Sequence, residues 1–380
     1  MFEGRTSKRR IFVAATVLLL AGCKVVPNRP GNTPPPPSDS LPADQQRHRI
    51  ALLVPLSGAN AGIGLSIANA TTMALLDTNA KNIRITNYDT AAGASAAARR
   101  AVSEGAKLIL GPLQAEDVAP IAAVARGARI PLITYSSDQG VAARDVFQMG
   151  TTPENSIDRT VRFARGRGMA RFGLLAPNGD YGSRAASAFN SSVKASGGTV
   201  VASSTYDRSN TSIISAAQRL RGRGAFDAIL IADGSRFAVM AASNLKLRAA
   251  ASPRLLGTEL WSGESAIAKS ATLRGSWFAA VPDNRFKQFS DSYKARFGAA
   301  PYRMATMGYD SVLLTVRVAR DWKPGTPFPA ARLTAADGFL GLDGSFRFAA
   351  DGSIERSLEV REARAGTVTV VSAAPVKFGD

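Results

Sequence analysis

The sequence predicts an α/β protein built from two doubly wound, Rossmann-like lobes. Three observations carry this. From residue 50 on, short apolar runs alternate with helical segments of about 10–15 residues, the mark of βαβ units and a parallel sheet. The alternation runs to Gly150 and then starts again. Between Gly344 and Val371 the pattern changes to apolar–polar alternation, which reads as antiparallel strands with a turn at Asp351-Gly352.

The chain begins with Arg5, Lys8, Arg9 and Arg10, followed by the apolar run Ile11 to Leu20. That run is too short to span a bilayer as a helix and has the length of a signal-peptide core. It ends in Leu20-Ala21-Gly22-Cys23, which resembles the bacterial lipobox. The resemblance implies removal of residues 1–22 and acylation of Cys23, whose thiol makes the thioether. Residues 23–48 then form an acylated cysteine and a tether rich in proline, with Pro27, Pro30, Pro34 to Pro37 and Pro42. Such a stretch tends to extended polyproline II at ~3 Å per residue.

The folded part starts near Arg49. "IALLV" (50–54), "IRITNYD" (83–89), "KLILG" (107–111) and "IPLITY" (130–135) read as strands. Between them lie a helix bearing Ile63, Ile67, Ala70 and Ala74 on one face, an alanine-rich helix from Ala91 to Glu104, and one from Val118 to Arg126. In the second series, helices are expected at Ile157–Arg165, Gly182–Ala195, Ile213–Arg221 and Phe237–Leu247. Strands are expected at "RFGLLAP" (171–177), "TVVASSTY" (199–206), "DAILIAD" (227–233) and "RLLGT" (254–258), the last closing the series. Phe286 to Phe297 and Met304 to Trp322 read as helices. Two doubly wound units on one chain make a cleft between the carboxyl ends of their strands, where open α/β sheets bind ligands.

Composition narrows the function. Cys23 is the only cysteine and His48 the only histidine, which excludes an intramolecular disulfide, multi-cysteine metal sites and a Ser-His-Asp triad. No metal or other cofactor is expected. His48 reads as a solvated residue ahead of the first strand. The formal net charge is +18, and removal of residues 1–22 leaves about +15. The cations are scattered, as in "RFARGRGMARF", with no interleaved aromatics, so nucleic acid is not an expected partner. Ser191-x-x-Lys194 and Ser243-x-x-Lys246 match one signature of serine penicillin-binding enzymes. No S-D-N or K-T-G follows, and the chain is not expected to be an enzyme.

Six stretches fall in order along the chain: "LLVPLSGANAGIG" (52–64), "LILGPL" (108–113), "IPLIT" (130–134), "LAPNGDYG" (175–182), "MGYDSVLL" (307–314) and "LDGSFRFAADGSIER" (342–356). Together they resemble the Leu/Ile/Val-binding type of periplasmic binding protein. The resemblance covers Arg49 to Val371 and implies the type I fold, with two lobes joined by three crossovers near 149–153, 278–283 and 333–340. Lobe 1 would hold 49–150 and 282–336, and lobe 2 would hold 151–281 and 337–380.

Backbone N–H groups at Ser57-Gly58 and Gly111-Pro112 lie just after strands and are candidates to receive an anion, or only to make a turn. The resemblance implies a hydroxyl after the Gly-Pro loop to grip a ligand carboxylate, where this chain has Gln114. It offers Ser136 and Ser137 in the second hydroxyl region, but Asp138 follows and would repel a carboxylate. Tyr181 matches a tyrosine that lines the cleft, and Glu259 is the candidate partner for an ammonium group.

"GPLQAEDV", "YSSD" and "VFQMGTTPE" look like a divergent lipoprotein branch of this fold, which includes penicillin-binding-protein activators. That branch implies a lipid-anchored accessory role beside a peptidoglycan synthase, at the inner leaflet of the outer membrane. The alternative is the receptor of an ABC importer, working with a permease and binding an amino acid or similar small molecule. The weak carboxylate side of the cleft favours the accessory role.

Overall fold

The computed structural model describes residues 46–246, 252–376 and 378. The expected signal peptide, Cys23 and most of the tether lie outside the described residues. Among the described residues no helix is long and apolar enough to cross a membrane.

The first series forms β1 (His48–Val54), α1 (Ala61–Thr78), β2 (Ile83–Asp89), α2 (Ala94–Ser103), β3 (Leu108–Leu110), α3 (Val118–Gly127), β4 (Leu132–Thr134) and β5 (Val146–Gln148). Its sheet has the order β2-β1-β3-β4-β5, all parallel. Both faces are covered, which is why the strands read as continuous apolar runs. Ile50, Leu52 and Val54 point into one core layer, and Ala51 and Leu53 into the other.

The second series forms α4 (Pro153–Gly166), β6 (Arg171–Pro177), α5 (Asp180–Ala195), β7 (Thr199–Tyr206), α6 (Ser212–Arg221), β8 (Ala228–Ile231), α7 (Ser235–Leu245), β9 (Arg254–Gly257), α8 (Ser265–Lys269) and β10 (Trp277–Ala280). Its parallel part, β7-β6-β8-β9-β10, repeats the strand order of the first sheet. α4 starts where the sequence signals a start. Thr152 caps it by accepting from Asn155 N–H, and Pro153 opens its first turn.

Each series runs one strand further than the sequence reading placed it. β5 and β10 are three and four residues long, and each closes its series. Each leads directly into a passage between the lobes, at 149–152 and 281–283.

After the second passage come α9 (Asn284–Phe297) and α10 (Ala305–Ala319), which pack on α1. Then follow β11 (Phe339–Gly341), β12 (Gly344–Phe348), β13 (Ile354–Arg356), β14 (Glu359–Arg364) and β15 (Thr367–Ser372). β14 and β15 extend the second sheet as antiparallel strands beside β10. β11, β12 and β13 form a separate antiparallel sheet, and Phe339, Phe346, Phe348 and Ile354 join the first lobe's core. The chain therefore crosses for the third time at Ser357-Leu358, not at 333–340. The aromatic residues of 339–348 decide this, since their burial site is the layer holding Phe147, Met149 and Leu314.

His48 is not solvated. It is the first residue of β1, 3% exposed, and its ring stacks on Trp322 at 3.8 Å. Burial holds its pKa below the ordinary value, opposed by a hydrogen bond with the Trp322 backbone.

One joint recurs in both lobes. A Cβ on Gly64 would lie 1.8 Å from the Pro55 carbonyl oxygen, and a Cβ on Gly182 would lie 1.7 Å from that of Pro177. In each case the helix after the lobe's first strand presses its backbone onto that strand's end.

Candidate functional site

The loop after β1 already holds an anion, and it belongs to the chain. Leu56 N–H donates to Asp89 Oδ1 at 2.8 Å and Ser57 Oγ donates to Oδ2 at 2.6 Å. The Ser57 hydroxyl, followed by burial acting against it and backbone N–H bonds, leaves the Asp89 pKa below its usual value. Ser57 and Gly58 are exposed and line no cleft wall. In the loop after β3, Gly111 N–H donates to the Ile133 carbonyl. The Pro112 carbonyl accepts from Tyr135 N–H at 2.8 Å and from Thr134 Oγ1 at 2.9 Å. Gly111 has φ +95°, and a Cβ there would meet the Leu53 carbonyl oxygen at 2.0 Å. This loop ties β3 to β1 and β4, and the N–H of Gly111 is spent within the sheet.

Ser136 is buried, and its hydroxyl accepts from Asp138 N–H at 3.0 Å. Asp138 accepts from Gly140 N–H and faces Arg184 of α5, 3.3 Å away on the other lobe. Arg184 also donates to the Ser137 carbonyl at 3.1 Å. The carboxylate expected to repel a ligand is thus one side of a contact between the lobes.

The structure brings Tyr181 and Glu259 together. Tyr181 Oη donates to Glu259 Oε1 at 3.0 Å and lies 3.0 Å from Thr258 Oγ1. Glu259 opens a single helical turn after β9, with Thr258 as its cap. Its Oε2 is buried without a hydrogen-bond partner. Burial pushes the Glu259 pKa up to about 7, against its own backbone N–H and the Tyr181 hydroxyl. Burial also raises the pKa of Tyr181.

Glu259 lines a cavity of about 660 Å³ with walls from both lobes. Ser262, Glu264 and Ala280 lie on its side, and Phe286, Lys287, Pro301, Arg303 and Met304 face it from the first lobe. A second section of about 380 Å³ shares Thr151, Val281, Arg303 and Met304 and adds Gln114, Ser137, Ile63, Leu113 and Met307. Of the residues singled out in the sequence, Gln114, Ser137 and Glu259 line the cleft. Ser57, Gly58, Gly111, Pro112, Ser136, Asp138 and Tyr181 shape its surroundings.

Sequence reasoning missed Arg303 and Arg184. Neither lies in a stretch with a family motif, and one arginine among so many in this basic chain carries no signal. The structure marks Arg303 clearly. Nη1 is bonded to Asp343 Oδ1 at 2.5 Å, the guanidinium carbon sits 4.2 Å from the centre of the Phe286 ring, and Nη2 is buried without an acceptor.

The two Ser-x-x-Lys pairs have no matching surroundings. Ser191 and Lys194 are exposed on α5. Ser243 is exposed, and Lys246 Nζ donates to the Arg274 carbonyl at 2.9 Å. Among the described residues no cluster of His, Cys, Asp and Glu is placed to hold a metal ion.

A family model described as periplasmic binding protein matches residues 48–367. A Rhodospirillum rubrum protein assigned to branched-chain amino acid ABC transport has a similar structure, with a TM-score of 0.76 at 21% identity over 86% of this chain and 100% of that one. A branched-chain amino acid ABC transporter periplasmic ligand-binding protein from Burkholderia xenovorans gives 0.71 at 16% identity, over 88% and 97%. Full-length LpoA from Haemophilus influenzae gives 0.66 at 18% identity, over 86% of this chain and 59% of that one. At these identities the likeness concerns the fold. In sequence, the uncharacterized protein RP748 of Rickettsia prowazekii is 29% identical over 140 residues, and the match spans 36% of this chain and 38% of that relative.

Proposed function

Since the chain belongs to the periplasmic binding protein family, with its two-lobed type I fold, we propose that it is a lipid-anchored, non-enzymatic binding protein that takes a small solute with an ammonium group into its interlobe cleft. The observation that carries this reading is Glu259. A carboxylate with one oxygen buried and unpartnered is costly unless a cation completes it. Tyr181 fixes the other oxygen and leaves the open one for the guest. Val281, Met304, Met307, Leu113 and Phe286 supply apolar walls for a hydrocarbon side chain. Delivery to a permease follows from the receptor role, and Cys23 would hold the protein at the membrane face of the periplasm.

A thermal-shift screen of the mature protein against amino acids tests the reading. An apolar amino acid should raise Tm by several degrees. No shift with any ammonium-bearing solute would remove it.

A second reading is favoured by a different observation. In the loops where an anion site was expected, Leu56 N–H and the Ser57 hydroxyl are used by Asp89, and Gly111 N–H by the sheet. On this reading the two-lobed body is an envelope accessory that holds a peptidoglycan synthase, as the likeness to LpoA suggests. Capture of a purified synthase by the immobilised mature protein, with no solute response, would establish it in place of the first.

A further inference from the structure

We infer that Arg303 holds the anionic group of the cleft's ligand, and that Asp283 in the second passage competes with that ligand for it. The inference rests on the solute-binding reading of the cleft above. Arg303 stands just before α10 and lines both sections of the cleft. Its Nη1 end is satisfied by Asp343 and by Thr306 Oγ1 at 3.3 Å. Its plane is set by the Phe286 ring. Its Nη2 is buried and makes no hydrogen bond, and Asp283 Oδ1 is 3.7 Å away from it.

A guanidinium has five donors in a rigid fork and prefers paired contacts with a carboxylate. One end of this fork is filled and the other is not. Arg303 and Glu259 line the same 660 Å³ cavity, and each has one buried end without a hydrogen-bond partner. The cleft thus offers one unmet donor and one unmet acceptor, on opposite lobes. The guest they fit is a zwitterion.

Asp283 gives this site a connection to the hinge. Its Oδ2 pairs with Arg361 Nη1 at 2.6 Å, and Arg361 also bonds Glu359 and the Val281 carbonyl. Arg361 lies on β14, in the second lobe's sheet, while Arg303 belongs to the first lobe. The second passage therefore carries a carboxylate suspended between one arginine of each lobe. A ligand carboxylate on Arg303 Nη2 displaces the weaker of its two attractions and leaves Asp283 to Arg361.

The test uses three probes on the mature protein by calorimetry: leucine, leucinamide (cation only) and 4-methylpentanoate (anion only). Leucine should bind more tightly than either half. Arg303→Met should weaken leucine at least tenfold and leave leucinamide unchanged, and Arg303→Lys should recover part of the loss, which separates lost binding from lost folding. Asp283→Asn should tighten leucine severalfold by removing the competitor. If wild type binds leucine and Arg303→Met binds it equally, the inference falls while the solute-binding reading stands. If wild type binds none of the three probes, the inference falls, and the solute-binding reading falls with it only when the amino-acid thermal-shift screen is silent too.

Discussion

Arg184 on the second lobe donates to the backbone carbonyl of Ser137 on the first, across the mouth of the cleft, at 3.1 Å. The same guanidinium faces Asp138 at 3.3 Å and Glu154 at 3.9 Å. Glu154 lies on α4 of the same lobe, but the contacts to Ser137 and Asp138 exist only while the lobes are close, so they bias the molecule toward closure. A partly exposed pair of this kind contributes about 1 kcal/mol or less. That is a small fraction of folding stability but enough to change a two-state population severalfold. Arg184→Ala should leave Tm nearly unchanged and raise the ligand-free radius of gyration measured by small-angle X-ray scattering. An unaltered scattering profile would show that the contact does not set the resting state.

Glu259 predicts two pH effects of opposite use. A cationic ligand needs the ionised carboxylate, so affinity should climb from pH 5 and level off above about 7. Glu259→Gln should flatten that profile and weaken binding about tenfold, or ~1.4 kcal/mol. For the unliganded fold the sign reverses. A buried acid with a raised pKa gives stability that is present below its ordinary value of 4.5 and is lost as pH rises through about 7. Glu259→Gln should therefore melt higher than wild type at pH 8, by calorimetry.

His48 is the only imidazole in the chain. Its folded pKa is lowered, so as pH falls below 6.5 the unfolded chain takes up the proton first and stability is lost. His48→Phe keeps a ring on Trp322 and removes the proton. The fall in Tm between pH 7.5 and 5.5 should be smaller in the variant, and an identical fall would assign the effect to other groups.

Gly64 and Gly127 make a matched pair for the close-approach argument. Gly64→Ala drives a methyl against the Pro55 carbonyl, while a Cβ on Gly127 meets nothing within 4 Å. The first substitution should cost about 3 kcal/mol or more through backbone displacement. The second should be neutral or gain up to about 1 kcal/mol. Urea unfolding of both variants measures the difference.

The lobes were legible because their strands are buried on both faces, and runs such as "IALLV" and "RFGLLAP" announce that directly. β5 and β10 were not, although β3 and β4 are as short, because each ends its series and runs straight into a passage to the other lobe. The third crossing was misplaced because alternating strands look alike whichever core they serve, and only packing sends Phe346 and Phe348 to the first lobe. In the site, Tyr181 and Glu259 follow strand ends, where chemistry gathers in such sheets. Arg303 is supplied by a helix start far along the chain, and its role depends on what Asp343 and Asp283 leave unfilled. A partner that exists only through three-dimensional competition leaves no mark in a linear pattern.

The paired glycine joints have a mechanical consequence. With α1 seated on the end of β1 and α5 on the end of β6, backbone to backbone, neither helix has room to swivel on its sheet. Each lobe is stiff right up to its rim. Compliance is left to the short passages at 149–152, 281–283 and 357–358, so on the proposed solute-binding reading the lobes would act as a pair of rigid jaws on a narrow pivot. A solute entering the cleft would then meet walls that arrive together, and its shape would be judged in a single movement.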